Sequence, residues 1–181
     1  MTLANRITIL RIILIPVFVV LYLQKAQYPQ LNNWALAVFA FAILTDLLDG
    51  LAARLRKEQT ALGTFLDPLA DKLLITATFV VFAFAKKIDL WVFVTVFSRD
   101  LIIVLGWAII YILTASAKIE PRPLGKTSTF LQMTTAISIL YPIPNFFSIW
   151  IIRLMVLATV ISAIDYIQSG SKRLEPIPDQ H

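Results

Sequence analysis

Cysteine is absent and histidine occurs once, as the last residue, His181. The first absence excludes disulfides and thiolate chemistry, though it leaves the redox compartment open. The second argues against a catalytic or metal-ligating histidine. Charge is sparse: Asp, Glu, Lys and Arg make up 15% of the chain. No basic run is interleaved with aromatics, so nucleic acid is not expected as a partner. No small-residue cleavage site follows the first apolar stretch, so the N-terminus is read as retained. No internal repeat is present.

What fills the 181 residues is apolar side chain, 59% of the total, with a mean hydropathy of +0.80. Soluble domains carry roughly 45–50%. The excess falls into six segments, near 7–23, 34–55, 62–85, 90–113, 127–141 and 146–167. A bilayer crossing needs roughly 17–25 such residues. The predicted fold is an all-α integral membrane protein of six transmembrane helices. A short N-terminal interfacial segment (N-R-I-T-I-L-R, 5–11) would precede the first crossing. Residues 1–168 read as one membrane domain and 169–181 as a polar C-terminal tail.

Basic residues set the orientation. Arg6, Arg11, Arg54, Arg56, Lys57, Lys118, Arg122, Lys126, Lys172 and Arg173 fall on one side, and Lys25, Lys86 and Lys87 on the other. The positive-inside rule puts both termini in the cytoplasm. The net charge of +5 suits anionic headgroups.

Against this background stand four aspartates, Asp46, Asp49, Asp67 and Asp71, at the facing ends of the second and third segments. A carboxylate at membrane depth needs a cation or a proton beside it. Asp46, Asp49 with Gly50, and Ala53 recur at helical spacing on one face, as do Gly63, Asp67 and Asp71. The rise is about 4.5 Å from Asp46 to Asp49 and about 6 Å from Asp67 to Asp71. A short turn joins the two segments, so the faces can meet. Oxygen donors without His or Cys suit Mg²⁺, Mn²⁺ or Ca²⁺. Gly50, Ala53 and Gly63 either permit close helix packing or leave room for a flat ligand against backbone. Arg54 either sets topology or binds a diphosphate with its planar fork. Pro68 either kinks a helix that starts earlier or follows a capping Asp67 as the first helical residue.

The full pattern is D-x2-D-G-x2-A-R-x8-G-x3-D-x3-D, from Asp46 to Asp71. It resembles the signature of the CDP-alcohol phosphotransferases at every fixed position. N-R-I-T-I-L-R at 5–11, L-D-P-L-A-D-K-L-L at 66–74, S-R-D at 98–100, G-K at 125–126 and S-A-I-D-Y at 162–166 look like the bacterial phosphatidylglycerophosphate synthase branch. The resemblance covers essentially the whole chain. It implies an enzyme that moves the phosphatidyl group of CDP-diacylglycerol to an acceptor hydroxyl and releases CMP. Two divalent cations, Mg²⁺ or Mn²⁺, would be held by Asp46, Asp49 and Asp67, with Asp71 as general base and further ligand. Gly50, Ala53, Arg54 and Gly63 would line the CDP site. The branch implies sn-glycerol 3-phosphate as acceptor, a homodimer, and the bacterial inner membrane with the site facing the cytoplasm.

Arg99, Lys126 and Arg11 are candidates for the acceptor phosphate. Arg99 reads equally as half of an intramembrane ion pair, and Lys126 as a flank of a membrane segment. Arg153 is expected to snorkel near the opposite face. Asp165 and Tyr166 either support the site or cap a helix end. S-R-D, where the branch more often shows S-R-E, also resembles the mitochondrial-type cardiolipin synthases, whose acceptor is phosphatidylglycerol. Intramembrane aspartates also serve transporters, but that reading does not account for Gly50, Ala53 and Arg54 at fixed spacing, and there is no pseudo-repeat.

Overall fold

Six helices correspond to the six apolar segments: α1 (Leu3–Gln24), α2 (Leu31–Arg56), α3 (Ala61–Phe84), α4 (Leu90–Thr114), α5 (Pro123–Leu140) and α6 (Asn145–Leu174). The computed structural model describes the backbone of residues 3–56, 61–114, 123–141 and 143–174, and the side chains of 9–45, 72–106, 123–141, 143–144 and 146–169. No strand occurs among the described residues.

The helix ends follow local chemistry. Pro123 opens α5, a position where its missing N–H costs nothing. Asp89 precedes α4; its carbonyl accepts from the Val92 amide at 3.1 Å, and its carboxylate accepts from Trp91 Nε1 at 3.2 Å. At the end of α3 the Lys87 amide reaches back to the Phe82 carbonyl at 2.8 Å and the Lys86 amide to Ala83 at 3.0 Å. This double closure needs a left-handed residue, and Lys86 takes it, with φ 53°.

The helix bounds bear on three points of detail. The N-terminal interfacial segment is not a separate element: α1 is continuous from Leu3 and carries Pro16 inside it. α3 begins at Ala61, so Pro68 falls within the helix and Asp67 is not its cap. α6 continues past residue 168 to Leu174, taking in the start of the expected tail.

Short connections make successive helices run in opposite directions. α1 packs on α2 and α3, α6 packs on α4 and α5, and α3 and α2 against α5, with α3 against α4, join the halves. An aromatic cluster closes the first group. Phe18 lies 5.6 Å from Phe39, and Tyr22 lies 5.2 Å from Phe82, between ring centroids.

The core is apolar, yet it also takes in several polar groups, and the exterior is far more apolar than that of a water-soluble bundle. Arg11, Arg99, Asp100, Ser128, Gln132, Thr135 and Ser162 are buried, whereas Phe84, Leu90, Phe130, Phe146 and Trp34 are more than three-fifths exposed. So much apolar exterior is expected where hydrocarbon replaces water. The buried serine and threonine hydroxyls are satisfied at short range, whereas the buried Tyr22 hydroxyl has no partner among the described residues. Thr78, Thr135 and Thr159 donate to carbonyls one turn back at 2.7–2.8 Å, and the Ser128 and Thr159 hydroxyls meet across α5 and α6 at 3.1 Å. Among the described residues one stretch, Phe146–Ser169, is long and apolar enough to cross a membrane; Ile9–Gln24, Leu31–Thr45 and Lys72–Phe84 are shorter apolar helices.

Candidate active site

The acidic motif occupies the last turns of α2 and the first turns of α3. Because both stretches are helical, Asp46 and Asp49 share one face of α2, and Asp67 and Asp71 one face of α3. The side chains of Asp46, Asp49, Gly50, Ala53, Arg54, Gly63, Asp67 and Asp71 lie outside the described residues. As a donor set the four aspartates fit divalent cations, which take hard oxygen ligands. Among the described residues no group of three or more His, Cys, Asp or Glu could hold a metal ion.

The described part of the site begins one residue after Asp71. Lys72 Nζ donates to Asp100 Oδ1 at 3.0 Å. Arg99 Nη1 donates to the same oxygen at 2.7 Å. Arg99 Nη2 reaches the Gly125 carbonyl at 3.2 Å and Ser162 Oγ at 3.0 Å. One ionic network therefore binds α3, α4, α5 and α6 together. Arg99 and Asp100 are 3% and 4% exposed.

Its electrostatics are unbalanced. Two cations share one carboxylate, so among the described residues the trio carries a net positive charge, with Arg99 and Asp100 buried and Lys72 partly so. Such a charge is costly unless an anion stands nearby. Asp100 Oδ2 and Arg99 Nε have no hydrogen-bond partner among the described residues, so the network retains an acceptor and a donor.

Gly125 leaves room for this contact: a Cβ there would stand 3.3 Å from Arg99 Nη2, so the guanidinium would have to give by a few tenths of an ångström. Gly106 on α4 is tighter. A Cβ would lie 2.7 Å from Tyr166 Cε1, and the Tyr166 hydroxyl donates to the Ile103 carbonyl at 3.1 Å. Tyr166 thus locks α6 to α4. Because α6 runs on to Leu174, neither Asp165 nor Tyr166 caps a helix end.

The other sequence candidates are dispersed. Arg11 on α1 is buried and engaged by another residue. Lys126 is exposed on the first turn of α5, beside the carbonyl that receives Arg99. Arg153 is exposed, its guanidinium 5.3 Å from the Trp150 ring, as expected of a long side chain lying along the surface. Sequence reasoning missed Lys72, Ser162 and Gly106. Adjacency gave the Arg99–Asp100 pair, but no spacing rule points from α4 to a lysine on α3 or a serine on α6.

The family model for CDP-alcohol phosphatidyltransferase matches residues 1–164. The chain belongs to that family. It is therefore an enzyme, a phosphatidyltransferase of lipid metabolism, and the match takes in all six helices except the end of α6. The CDP-diacylglycerol–glycerol-3-phosphate 3-phosphatidyltransferase of Haemophilus influenzae is 33% identical over 90% of this chain and 89% of its own length. The enzyme of the same name from Pseudomonas fluorescens is 32% identical over 84% and 78%. The human cardiolipin synthase (CMP-forming) is 31% identical over 98% of this chain and 64% of its own length. The family is thus one whose members transfer phosphatidyl groups to different acceptors.

Proposed function

We propose that this CDP-alcohol phosphatidyltransferase moves the phosphatidyl group of CDP-diacylglycerol to sn-glycerol 3-phosphate, releasing CMP and forming phosphatidylglycerophosphate. The observation that carries the choice of acceptor is the net positive Lys72–Asp100–Arg99 network one residue past Asp71. A free phosphate monoester carries about two negative charges near neutrality, and such an acceptor answers that charge more fully than the singly charged phosphodiester of phosphatidylglycerol does. The Haemophilus influenzae and Pseudomonas fluorescens relatives, named for glycerol 3-phosphate, support the same reading.

Asp46, Asp49 and Asp67 would hold two divalent cations, Mg²⁺ or Mn²⁺, whose charge neutralises the diphosphate and the departing CMP when bound. Gly50, Ala53, Arg54 and Gly63 are assigned to the CDP moiety. Asp71 takes the proton from the acceptor hydroxyl. The freed oxygen bonds to the lipid-bearing phosphorus as its bond to the bridging oxygen breaks, and CMP leaves with that electron pair. Arg99 and Lys126, with Arg11, hold the acceptor phosphate at the required distance, converting an encounter into a positioned reaction. The chain acts as one membrane domain of six crossings, in the inner membrane of a bacterium, with both termini and the aspartates toward the cytoplasm, and as a homodimer.

A second reading has its own support. S-R-D at 98–100 and the relatives named cardiolipin synthase favour phosphatidylglycerol as acceptor. The test is CMP release by the purified protein with CDP-diacylglycerol and Mg²⁺ or Mn²⁺, with glycerol 3-phosphate and phosphatidylglycerol supplied in separate reactions and the lipid product identified. Phosphatidylglycerophosphate from the first is expected. Cardiolipin from the second alone would replace the acceptor, and absence of CMP from both would remove the reaction.

A further inference from the structure

At the opposite end of the bundle from the aspartates, the end of α1, the α1–α2 connection and the end of α3 line an open cavity of about 580 Å³. Lys25 and Lys87 both line it, with Tyr22, Leu23 and Asn32, and no carboxylate is among the lining residues. Lys25 is held in place. Its Nζ lies 3.5 Å from the Tyr22 ring centroid and donates to Asn32 Oδ1 at 3.3 Å. The Asn32 amide is itself oriented, since its Nδ2 donates to the Leu140 carbonyl at 2.7 Å. Lys87 is positioned by the left-handed backbone at Lys86, a conformation costing a non-glycine residue about 1 kcal/mol or more. Backbone strain of this kind gathers at functional positions.

Two ammonium groups facing one cavity repel each other. Burial pushes the Lys25 pKa down to about 8, and the charge of Lys87 adds to it. A cavity that gathers cations without a counter-charge is complementary to an anion. Its rim says which kind. Leu23, beside the cavity, and Phe84, next to Ala85 in its wall, are 54% and 82% exposed. A free phosphate ion has no use for that apolar surface, whereas acyl chains would cover it.

We propose that this cavity binds the phosphate-bearing headgroup of an anionic phospholipid, with Lys25 and Lys87 paired to the phosphate and the acyl chains laid along Leu23 and Phe84. The site lies away from the residues assigned to phosphatidyl transfer and does not depend on the choice of acceptor.

The test uses the full chain in lipid nanodiscs at pH 8, with amine acylation at Lys25, Lys86 and Lys87 read by mass spectrometry. In purely zwitterionic lipid Lys25 should react fastest, since about half of it is uncharged at that pH. Adding phosphatidylglycerol should slow Lys25 by about fivefold or more relative to the neighbouring exposed Lys86, the change that a rise of one pKa unit produces. Wild-type protein should also retain phosphatidylglycerol through exchange into zwitterionic detergent, and K25Q/K87Q, with unchanged helix content, should release it. Equal slowing of Lys25 and Lys86 would overturn the proposal, since general surface charge would then account for it. So would equal protection by inorganic phosphate in zwitterionic nanodiscs, or retention of the lipid by a folded K25Q/K87Q.

Discussion

The ammonium of Lys72 donates to Oδ1 of Asp100 at 3.0 Å, an ion pair that fixes α3 to α4 one residue beyond Asp71. Because Arg99 shares the same oxygen at 2.7 Å, Asp100 is the only anion of the trio. Asp100→Asn would leave the buried Arg99 and the partly buried Lys72 facing a neutral amide. Removing one partner of a buried pair costs about 3–5 kcal/mol. The expected outcome is a loss of that order in the unfolding free energy in mixed micelles. D100N/K72M should recover part of it, since the second change deletes one stranded charge. Full wild-type stability in D100N would mean that the network contributes nothing to the fold.

Gly106 and Tyr166 make a steric prediction. A methyl group added at Gly106 would approach Cε1 of Tyr166 to 2.7 Å, and that atom belongs to a rigid ring rather than a flexible chain end. Gly106→Ala should therefore destabilise the protein by about 1–3 kcal/mol, the usual cost of overpacking. G106A/Y166L should regain part of it. Gly125→Ala, whose methyl would meet the tip of Arg99 at 3.3 Å, should act on the reaction more than on stability, raising KM for the acceptor. Thermal unfolding and steady-state kinetics on the three variants separate the two effects.

Lys86 offers the opposite sign. Its φ of 53° is a glycine conformation, and the amides of Lys86 and Lys87 both close the helix there. Lys86→Gly removes the clash of Cβ with its own carbonyl, worth about 1–2 kcal/mol, less the entropy that glycine returns to the unfolded chain. A net gain of up to about 1 kcal/mol is expected. A lower melting temperature would show that the Lys86 side chain makes a stabilising contact larger than its strain.

Gln132 is fully buried on α5, and neither its Oε1 nor its Nε2 has a hydrogen-bond partner among the described residues. An unsatisfied buried amide costs about 1–3 kcal/mol, whereas an apolar group of similar shape does not. Gln132→Leu should raise stability by about that amount. Unchanged or reduced stability would indicate that the amide is satisfied, for example by water, and Gln132→Glu would then shift that partner measurably.

The helices were legible because uninterrupted apolar runs have a length that hydrocarbon imposes. Their ends were less so. The run P-L-G-K at 123–126 looks like loop, yet α5 starts at Pro123 because the first turn tolerates proline and Ser128, one turn on, is buried against Thr159. The left-handed Lys86 left no trace in the sequence, since glycine is the usual signal. Asp46, Asp49, Asp67 and Asp71 stood out because charge is rare in such segments. Arg99 was legible as one half of an ion pair with an adjacent acid, but its other partners were not. Ser162 and the Gly125 carbonyl reach it through the rotational register of α5 and α6, which hydrophobic periodicity does not fix when a helix is apolar on every side.

Asp71 is the residue on which the proposed chemistry turns. Asp71→Asn keeps shape and hydrogen-bonding capacity but cannot take a proton from the acceptor hydroxyl. Positioned proton transfer contributes about 10²–10⁴-fold, so kcat should fall by at least the lower figure while the protein still inserts and keeps its helix content. The Lys72–Asp100 pair supplies the control. Lys72 follows Asp71 on the same helix, so Lys72→Met should perturb the placement of Asp71 without removing it. D71N should lose kcat with the acceptor KM little changed, whereas K72M should move both. Near-normal turnover in D71N would remove Asp71 as the base and leave proton acceptance to another carboxylate of the motif.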